Sequence, residues 1–317
     1  MRRLGIVALL AACSLSQAAC AQQNWLFAYF KEPGNQGIYL ALSRDGYHYT
    51  ALNDGGPWLA PEQPGEIMRD VYLTRGPDGL FQMVWTWAWH GNALGHATSR
   101  DLIHWSVQQY IPIMASHQDT NNVWAPELAW DEQRGKWLVL WSSSSKDDAR
   151  GNRIWCSYTS DFNDFTPPQI FFDPGFVVID ATLFHAANKT RSSYYLILKD
   201  QTNDPLRYQE RFATGPTVEG PWSPLSPPIN ESWSEGPSAI QIGDTYLVFY
   251  DHYRPPHAQY EAVATKDWKH WTDASAQISM PAASKHGSFL QITDEEANRL
   301  LSRHDAGAQP KAGAPSP

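Results

Sequence analysis

Basic residues are scarce in this chain: 24 Lys and Arg stand against 33 Asp and Glu in 317 residues. No segment gathers the cationic excess that neutralising a phosphate backbone requires, which sets nucleic-acid binding aside. Cysteine is scarcer still, with three in the whole sequence. Two of them, Cys13 and Cys20, lie in an N-terminal segment that reads as removable, leaving Cys156 alone. A single cysteine forms no internal disulfide, so a packed core must hold the fold. Long apolar runs are missing after the N-terminus, which excludes a membrane-spanning helix of the usual length. Helical periodicity is almost absent before residue 290, which argues against helical and α/β architectures.

The N-terminus carries the three parts of an export signal. Arg2 and Arg3 form a charged start, and Leu4 to Ala12 an apolar stretch too short to cross a bilayer. Ala19-Cys20-Ala21 fits a small-residue cleavage site, so residues 1–21 are expected to be a signal peptide with Gln22 the first mature residue. The expected location is the periplasm or the medium. Leu10-Ala11-Ala12-Cys13 also resembles a lipoprotein box, which keeps a lipid anchor as the alternative.

What is abundant is repetition. A Ser/Thr–Asp–aromatic signature recurs around Asp45, Asp101, Asp161 and Asp267, with a degenerate copy at Glu219-Gly220-Pro221-Trp222. Each copy follows two runs rich in Val, Leu, Tyr, Phe and Trp, bounded by Gly, Asp, Asn and Pro, which read as strands. The first runs are Trp25–Tyr29, Phe81–Trp85, Trp137–Trp141, Tyr194–Leu198 and Tyr246–Tyr250. A further strand precedes each, at Val71–Leu73, Leu128–Trp130, Ala181–Phe184 and Ser238–Ile242. The N-terminal unit lacks one, and Gly287–Ile292 at the C-terminus supplies it. Five four-stranded units closed head to tail predict an all-β five-bladed propeller over residues 22–292, with the last strand joining the N-terminal blade. Such closure hides two edges that would otherwise pair with other chains. Thr293-Asp294-Glu295-Glu296 fits a capping box, so a short helix is expected from Asp294 to Arg303, followed by an Ala/Gly/Pro-rich disordered tail to residue 317.

Ahead of the innermost strands stand Asp70, Glu127, Asp180, Glu235 and His286, spaced by 51 to 57 residues. Read in register, they form a ring around the propeller axis. One carboxylate before a strand is usually a turn residue. Four in a ring repel and desolvate one another, which costs stability unless chemistry or a metal uses them. Two acids facing across a funnel are what glycosidic cleavage needs: one protonates the leaving oxygen, the other activates water or attacks. A third carboxylate nearby raises the pKa of the acid. Trp89-His90, Lys199-Asp200 and Asp251-His252-Tyr253, at the ends of the second strands, and Trp124 and Trp233, on the entering loops, are expected to border the pocket; Trp89, His90, Asp200, His252, Trp124 and Trp233 are expected to bind substrate, the aromatics by stacking on sugar faces. The 15 Trp must also fill blade cores, so packing between blades is the competing role for each.

The motifs Met68-Arg69-Asp70-Val71, Val123-Trp124-Ala125-Pro126-Glu127-Leu128, Val178-Ile179-Asp180-Ala181, Ser234-Glu235-Gly236-Pro237-Ser238 and Lys285-His286-Gly287-Ser288 resemble those of glycoside hydrolase family 43 from Trp25 to Ile292. The resemblance implies a five-bladed propeller and an inverting hydrolase. It implies Asp70 as base, Asp180 as pKa modulator and orienter, and Glu235 as general acid. It places His286 near the axis, where relatives hold a hydrated cation, commonly calcium; no cofactor is otherwise required. Val71 departs from the Pro that often follows the base, so Glu127 is the reserve base, with binding of sugar hydroxyls its simpler role. The implied activity is release of arabinofuranosyl or xylosyl units from a plant-type oligo- or polysaccharide. The alternatives are another glycosidase, such as a β-galactosidase or a sialidase-like enzyme, and a propeller that binds sugar without cutting it.

Overall fold

The computed structural model describes residues 23–63, 66–146, 148, 150–187, 192–255 and 258–307. The expected signal peptide, its alternative lipid-anchor site and the last ten residues of the tail lie outside the described residues. The chain builds five antiparallel sheets in sequence order. Blade I holds β1 (Asn24–Phe30), β2 (Tyr39–Ser43) and β3 (Thr50–Ala51). Blade II holds β4 (Arg69–Arg75), β5 (Phe81–Thr86), β6 (Leu94–Ser99) and β7 (Gln109–Ile111). Blade III holds β8 (Trp124–Asp131), β9 (Lys136–Ser143), β10 (Arg153–Thr159) and β11 (Gln169–Phe172). Blade IV holds β12 (Val178–Ala187), β13 (Ser192–Asp200) and β14 (Gln209–Gly215). Blade V holds β15 (Ser234–Ile242), β16 (Thr245–His252), β17 (Gln259–Thr265) and β18 (Thr272–Asp273). The last strand, β19 (Lys285–Ile292), pairs with β1 and completes blade I. The innermost strands β4, β8, β12, β15 and β19 neighbour one another in a closed ring, so the protein is a five-bladed β-propeller.

The second strands read as continuous apolar runs because neighbouring blades cover both of their faces. All six residues of β5 are buried, as are all seven of β1. The apolar clusters therefore lie between blades: Leu26, Leu40, Met83 and Trp85 pack blade I against blade II, and Leu140, Cys156, Leu196 and Leu198 pack III against IV. The Ser/Thr–Asp signature is the turn that follows the third strand. In blade II the Ser99 hydroxyl accepts the Leu102 amide (2.8 Å), and the Asp101 carboxylate accepts the Ile103 and His104 amides. Blades I, III and V repeat this arrangement. The signature is thus a structural turn, which accounts for its period.

Blade IV departs from expectation in having three strands. Its outer segment carries Pro221, Pro224, Pro227 and Pro228, and each proline removes a ladder donor. The remaining amides of Ser223, Ser226 and Ile229 still bond to Thr214, Phe212 and Glu210, so the edge is covered by an extended, proline-spaced segment. After β19 comes α1 (Asp294–Gly307). The capping box forms as expected: Thr293 Oγ1 accepts the Glu296 amide (3.2 Å), and the Glu296 carboxylate accepts the Thr293 amide (2.9 Å). Glu296 also grips Arg75 through two 2.7 Å bonds, while Ala297 and Leu300 enter the core.

Candidate active site at the propeller axis

Each innermost strand begins with a β-bulge. In blade II, Arg69 pairs with Thr86 and Tyr72 with Val84, so Asp70 and Val71 together face Trp85. The same two-against-one step occurs at Ala125, Asp180, Gly236 and His286. Four of these five residues have positive φ: Asp70 (50°), Ala125 (47°), Asp180 (54°) and Gly236 (62°). Such a φ is costly for a residue with a side chain, and bulges commonly re-aim side chains beside active sites. This register corrects the expected ring. Asp70, Asp180 and His286 are true equivalents, Glu235 stands one residue before the bulge, and Glu127 two residues beyond it. The acids also lie inside the strands rather than ahead of them, because pairing resumes on the outer side of each bulge.

Asp70, Asp180, Glu235 and His286 converge around the axis. His286 Nδ1 lies 3.5 Å from Asp70 Oδ1 and 3.9 Å from Asp180 Oδ2. Asp70 Oδ2 accepts the Thr86 hydroxyl at 2.6 Å. Burial pushes the Asp70 carboxyl up, but the His286 bond and charge, the Arg69 charge and the Thr86 bond outweigh it and hold the group below the usual carboxylate range. Asp180 accepts the Gly236 amide at 3.2 Å. Its pKa is raised to about 6, by burial first and by the Glu235 and Asp70 charges, with His286 and Lys199 opposing. Two equivalent aspartates therefore sit in different protonation environments. Glu235 Oε2 accepts Lys199 Nζ at 2.9 Å.

Glu127 is buried, 7% exposed like Asp180, and its carboxyl accepts the Leu183 amide at 3.3 Å. Burial raises its pKa to about 8, so it is neutral at pH 7. Asp200 is fully buried, and ion pairs to Arg207 (3.3 Å) and Arg211 (3.0 Å) engage its carboxylate. Strand alternation explains this: Lys199 faces the site, and Asp200 therefore faces away. Trp89 is exposed; its ring lies 4.1 Å from the Arg69 guanidinium, and its carbonyl accepts Trp124 Nε1 at 2.9 Å. Trp233 is half-buried between Tyr208 and Tyr253, with the Arg254 guanidinium 4.5 Å from its ring. His90 is exposed on the loop after Trp89, and His252 is half-buried at the end of β16.

The sequence reading gave Arg69 and Glu210 no role, and it placed Lys199 and Asp251 at the pocket border without assigning either a function. Which of Lys199 and Asp200 faces the axis is a matter of strand parity, which needs the register. Arg69 stacks between Phe30 and Trp89 and pairs with Glu32 at 2.6 Å. Asp251 accepts Lys285 Nζ at 2.9 Å. Glu210 is fully buried opposite Lys199, with its pKa raised by burial to about 8.

The expected cation near His286 can be tested against the donors present. Burial lowers the imidazole pKa, but the charges of Asp180, Asp70 and Glu235 outweigh this and raise it to about 9, so the ring is a cation at neutral pH. A protonated imidazole has no lone pair to give a metal. Among the described residues no group of three His, Cys, Asp or Glu side chains is arranged to hold an ion. No side-chain cage for a directly ligated ion is formed among the described residues, and the His286 imidazole stands between the two aspartates.

The fold agrees with the comparisons to known proteins. A glycoside hydrolase family 43-related model, described as "Probable glycosyl hydrolase domain", matches residues 21–298, and the chain belongs to that family. An α-L-arabinofuranosidase of Bifidobacterium longum is 23% identical over 269 residues, 66% of this chain. The chain spans only 25% of that relative's length. Among solved structures, an α-L-arabinofuranosidase from Lactobacillus brevis has a TM-score of 0.53 at 17% identity, covering 72% of this chain and 80% of that one. An endo-1,4-β-xylanase from Bacteroides thetaiotaomicron has a TM-score of 0.56 at 16% identity, covering 78% and 89%. These likenesses establish the propeller architecture.

Proposed function

We propose that the protein is an exported, inverting glycoside hydrolase that releases terminal arabinofuranosyl or xylosyl units from plant-type polysaccharides. The observation that carries this reading is the pair of equivalent bulge aspartates in opposite protonation environments, with Glu235 across the axis from Asp70. Asp70, held ionised by His286, Arg69 and Thr86, takes a proton from water. That water attacks the anomeric carbon from one face of the sugar. Glu235 gives a proton to the departing glycosidic oxygen on the other face as the carbon–oxygen bond breaks. Asp70 and Glu235 stand on β4 and β15, which are not neighbours in the inner ring, and inversion requires the two carboxyls to be about 6.5–9.5 Å apart. Asp180 accepts the amide of Gly236, the residue after Glu235, and so orients the acid-bearing bulge. Trp89, Trp124 and Trp233 supply aromatic walls at the mouth. The preference for arabinofuranosides follows the name of the Bifidobacterium relative, and export follows the charged–apolar–small pattern of residues 1–21.

The test is hydrolysis of aryl α-L-arabinofuranosides, β-D-xylosides and β-D-galactosides by wild type and Glu235→Gln, with the product anomer read by proton NMR. Turnover of one substrate with an inverted product, lost in the variant, supports the reading. Sugar binding without turnover of natural oligosaccharides would make this a binding propeller instead.

A further inference from the structure

The pseudo-symmetry of the blades isolates one residue whose role the carboxylates alone do not explain. In each blade the residue paired opposite the one before the bulge reaches into the next blade. Thr86 Oγ1 accepts the Ala125 amide at 2.9 Å, and Ser142 Oγ accepts the Asp180 amide at 3.0 Å. Asp251 accepts Lys285 Nζ at 2.9 Å, and the Phe30 ring lies 4.4 Å from the Arg69 guanidinium. The fifth equivalent is Lys199, paired with Ile179. Thr86 also donates to the Asp70 carboxylate of its own blade, and Ser142 holds the Asp180 backbone, but Lys199 is the equivalent that reaches across to the carboxyl of the proposed acid, Glu235, at 2.9 Å.

A buried ammonium is expensive and is held only by well-placed partners. Lys199 is 1% exposed. Its Nζ also donates to Tyr253 Oη at 3.2 Å and lies 4.6 Å from the Tyr253 ring and 5.2 Å from that of Tyr208. Its cross-strand neighbour Glu210 is fully buried, and burial favours its neutral form. The ionisable groups facing Glu235 are Lys199 from β13, Asp180 from β12, Asp251 and Tyr253 at the end of β16, Tyr260 from β17 and His286 from β19. Among these only Lys199 is recorded hydrogen-bonding the Glu235 carboxyl. The bond engages Oε2 and leaves Oε1 as the oxygen that can face a leaving group.

We propose that Lys199 is a positioning residue for the general acid, fixing the Glu235 carboxyl so that one oxygen is held by the ammonium and the other is presented to the departing oxygen. The proposal rests on the assignment of Glu235 as acid. A lysine that merely clasped blade IV to blade V, as its four counterparts clasp theirs, would weaken every reaction of the site alike. A lysine that positions the acid matters only where the leaving group needs a proton.

The test compares wild type, Lys199→Met, Lys199→Arg and Glu235→Gln on aryl glycosides of one sugar with leaving groups of falling acidity, from 2,4-dinitrophenol to simple phenol. In Lys199→Met, kcat is expected to fall less than about threefold on the dinitrophenyl substrate and about a hundredfold on the phenyl one, the scale of general acid catalysis. KM should stay near wild type, Glu235→Gln should show the same trend, and Lys199→Arg should recover part of the loss on phenyl. Equal loss across the series would overturn the proposal. If Lys199→Met fails to fold, Tyr253→Phe frees one side of the ammonium and should give the same leaving-group trend at smaller amplitude; a flat series there counts against the proposal. If wild type turns over no glycoside, the Lys199 15Nζ resonance decides the pairing without substrate. A slowly exchanging ammonium signal that disappears in Glu235→Gln supports the contact while the hydrolase reading fails. A signal unchanged in that variant overturns both.

Discussion

Replacing Glu127 by glutamine should stabilise the protein, and more so as pH rises. The carboxyl is buried and its pKa is raised from the ordinary glutamate value of 4.5 to about 8, burial being the main cause. Unfolding exposes it, and above about pH 4.5 the unfolded chain loses that proton while the folded chain keeps it. The folded state then binds more protons than the unfolded one, so this group's contribution is fully present below about pH 4.5 and is lost as pH climbs to about 8. At pH 7 the loss spans about 2.5 pH units, or about 3 kcal/mol at 1.36 kcal/mol per unit. Glutamine has the same shape, never ionises, and can still accept the Leu183 amide. Its amide cannot match every contact of a carboxylic acid, which costs about 1 kcal/mol. The expected net gain is about 2 kcal/mol at pH 7, passing through zero at about pH 5 and becoming a loss of up to about 1 kcal/mol at lower pH. Urea unfolding of both proteins at pH 4.5, 7 and 8.5 measures it. A variant destabilised by the same amount at all three values would refute the burial argument and return Glu127 to the list of ionised site residues.

Three other perturbations test separate parts of the structure. Asp70→Asn should lower kcat by a factor of 10² to 10⁴, the usual scale for a lost general base, with the melting curve intact; unchanged kcat would move the base elsewhere. His286→Gln removes the charge and bond that hold the Asp70 carboxyl low, so the acidic limb of kcat/KM should move to higher pH, and a limb that stays in place would show that Arg69 and Thr86 suffice. Cys156 is buried, and burial raises its thiol to about 11, so it should ignore a disulfide reagent at pH 8 until urea unfolds the chain.

The propeller was legible in the sequence because its period is written twice, in the apolar second strands and in the Ser/Thr–Asp turns. Asp70, Asp180 and His286 were legible for the same reason, since they stand at equivalent positions. The true register of Glu235 and Glu127 was not. A bulge shifts a residue by one place, and an acid one place from the bulge looks in sequence like an acid on it. Lys199 illustrates a second limit: Lys199-Asp200 offers two charged neighbours at a strand end, and only pairing with Ile179 and Glu210 shows which one faces the axis. Blade IV was marked by its degenerate turn and its prolines, yet the loss of a strand is a matter of counting donors, which the repeat alone does not force.

The pairing of β19 with β1 bears on how the enzyme comes into being. His286 arrives on the last strand of the propeller, so blades II to V are all made before the imidazole between Asp70 and Asp180 exists. Until Lys285–Ile292 emerges, β1 offers a bare edge of seven buried-type residues, Asn24–Phe30, to any neighbouring strand. Translation that stops early yields an open ring, sticky at its seam and without the imidazole beside Asp70 and Asp180. The full ring of side chains at the axis is thereby reserved for chains carried through to the closing strand.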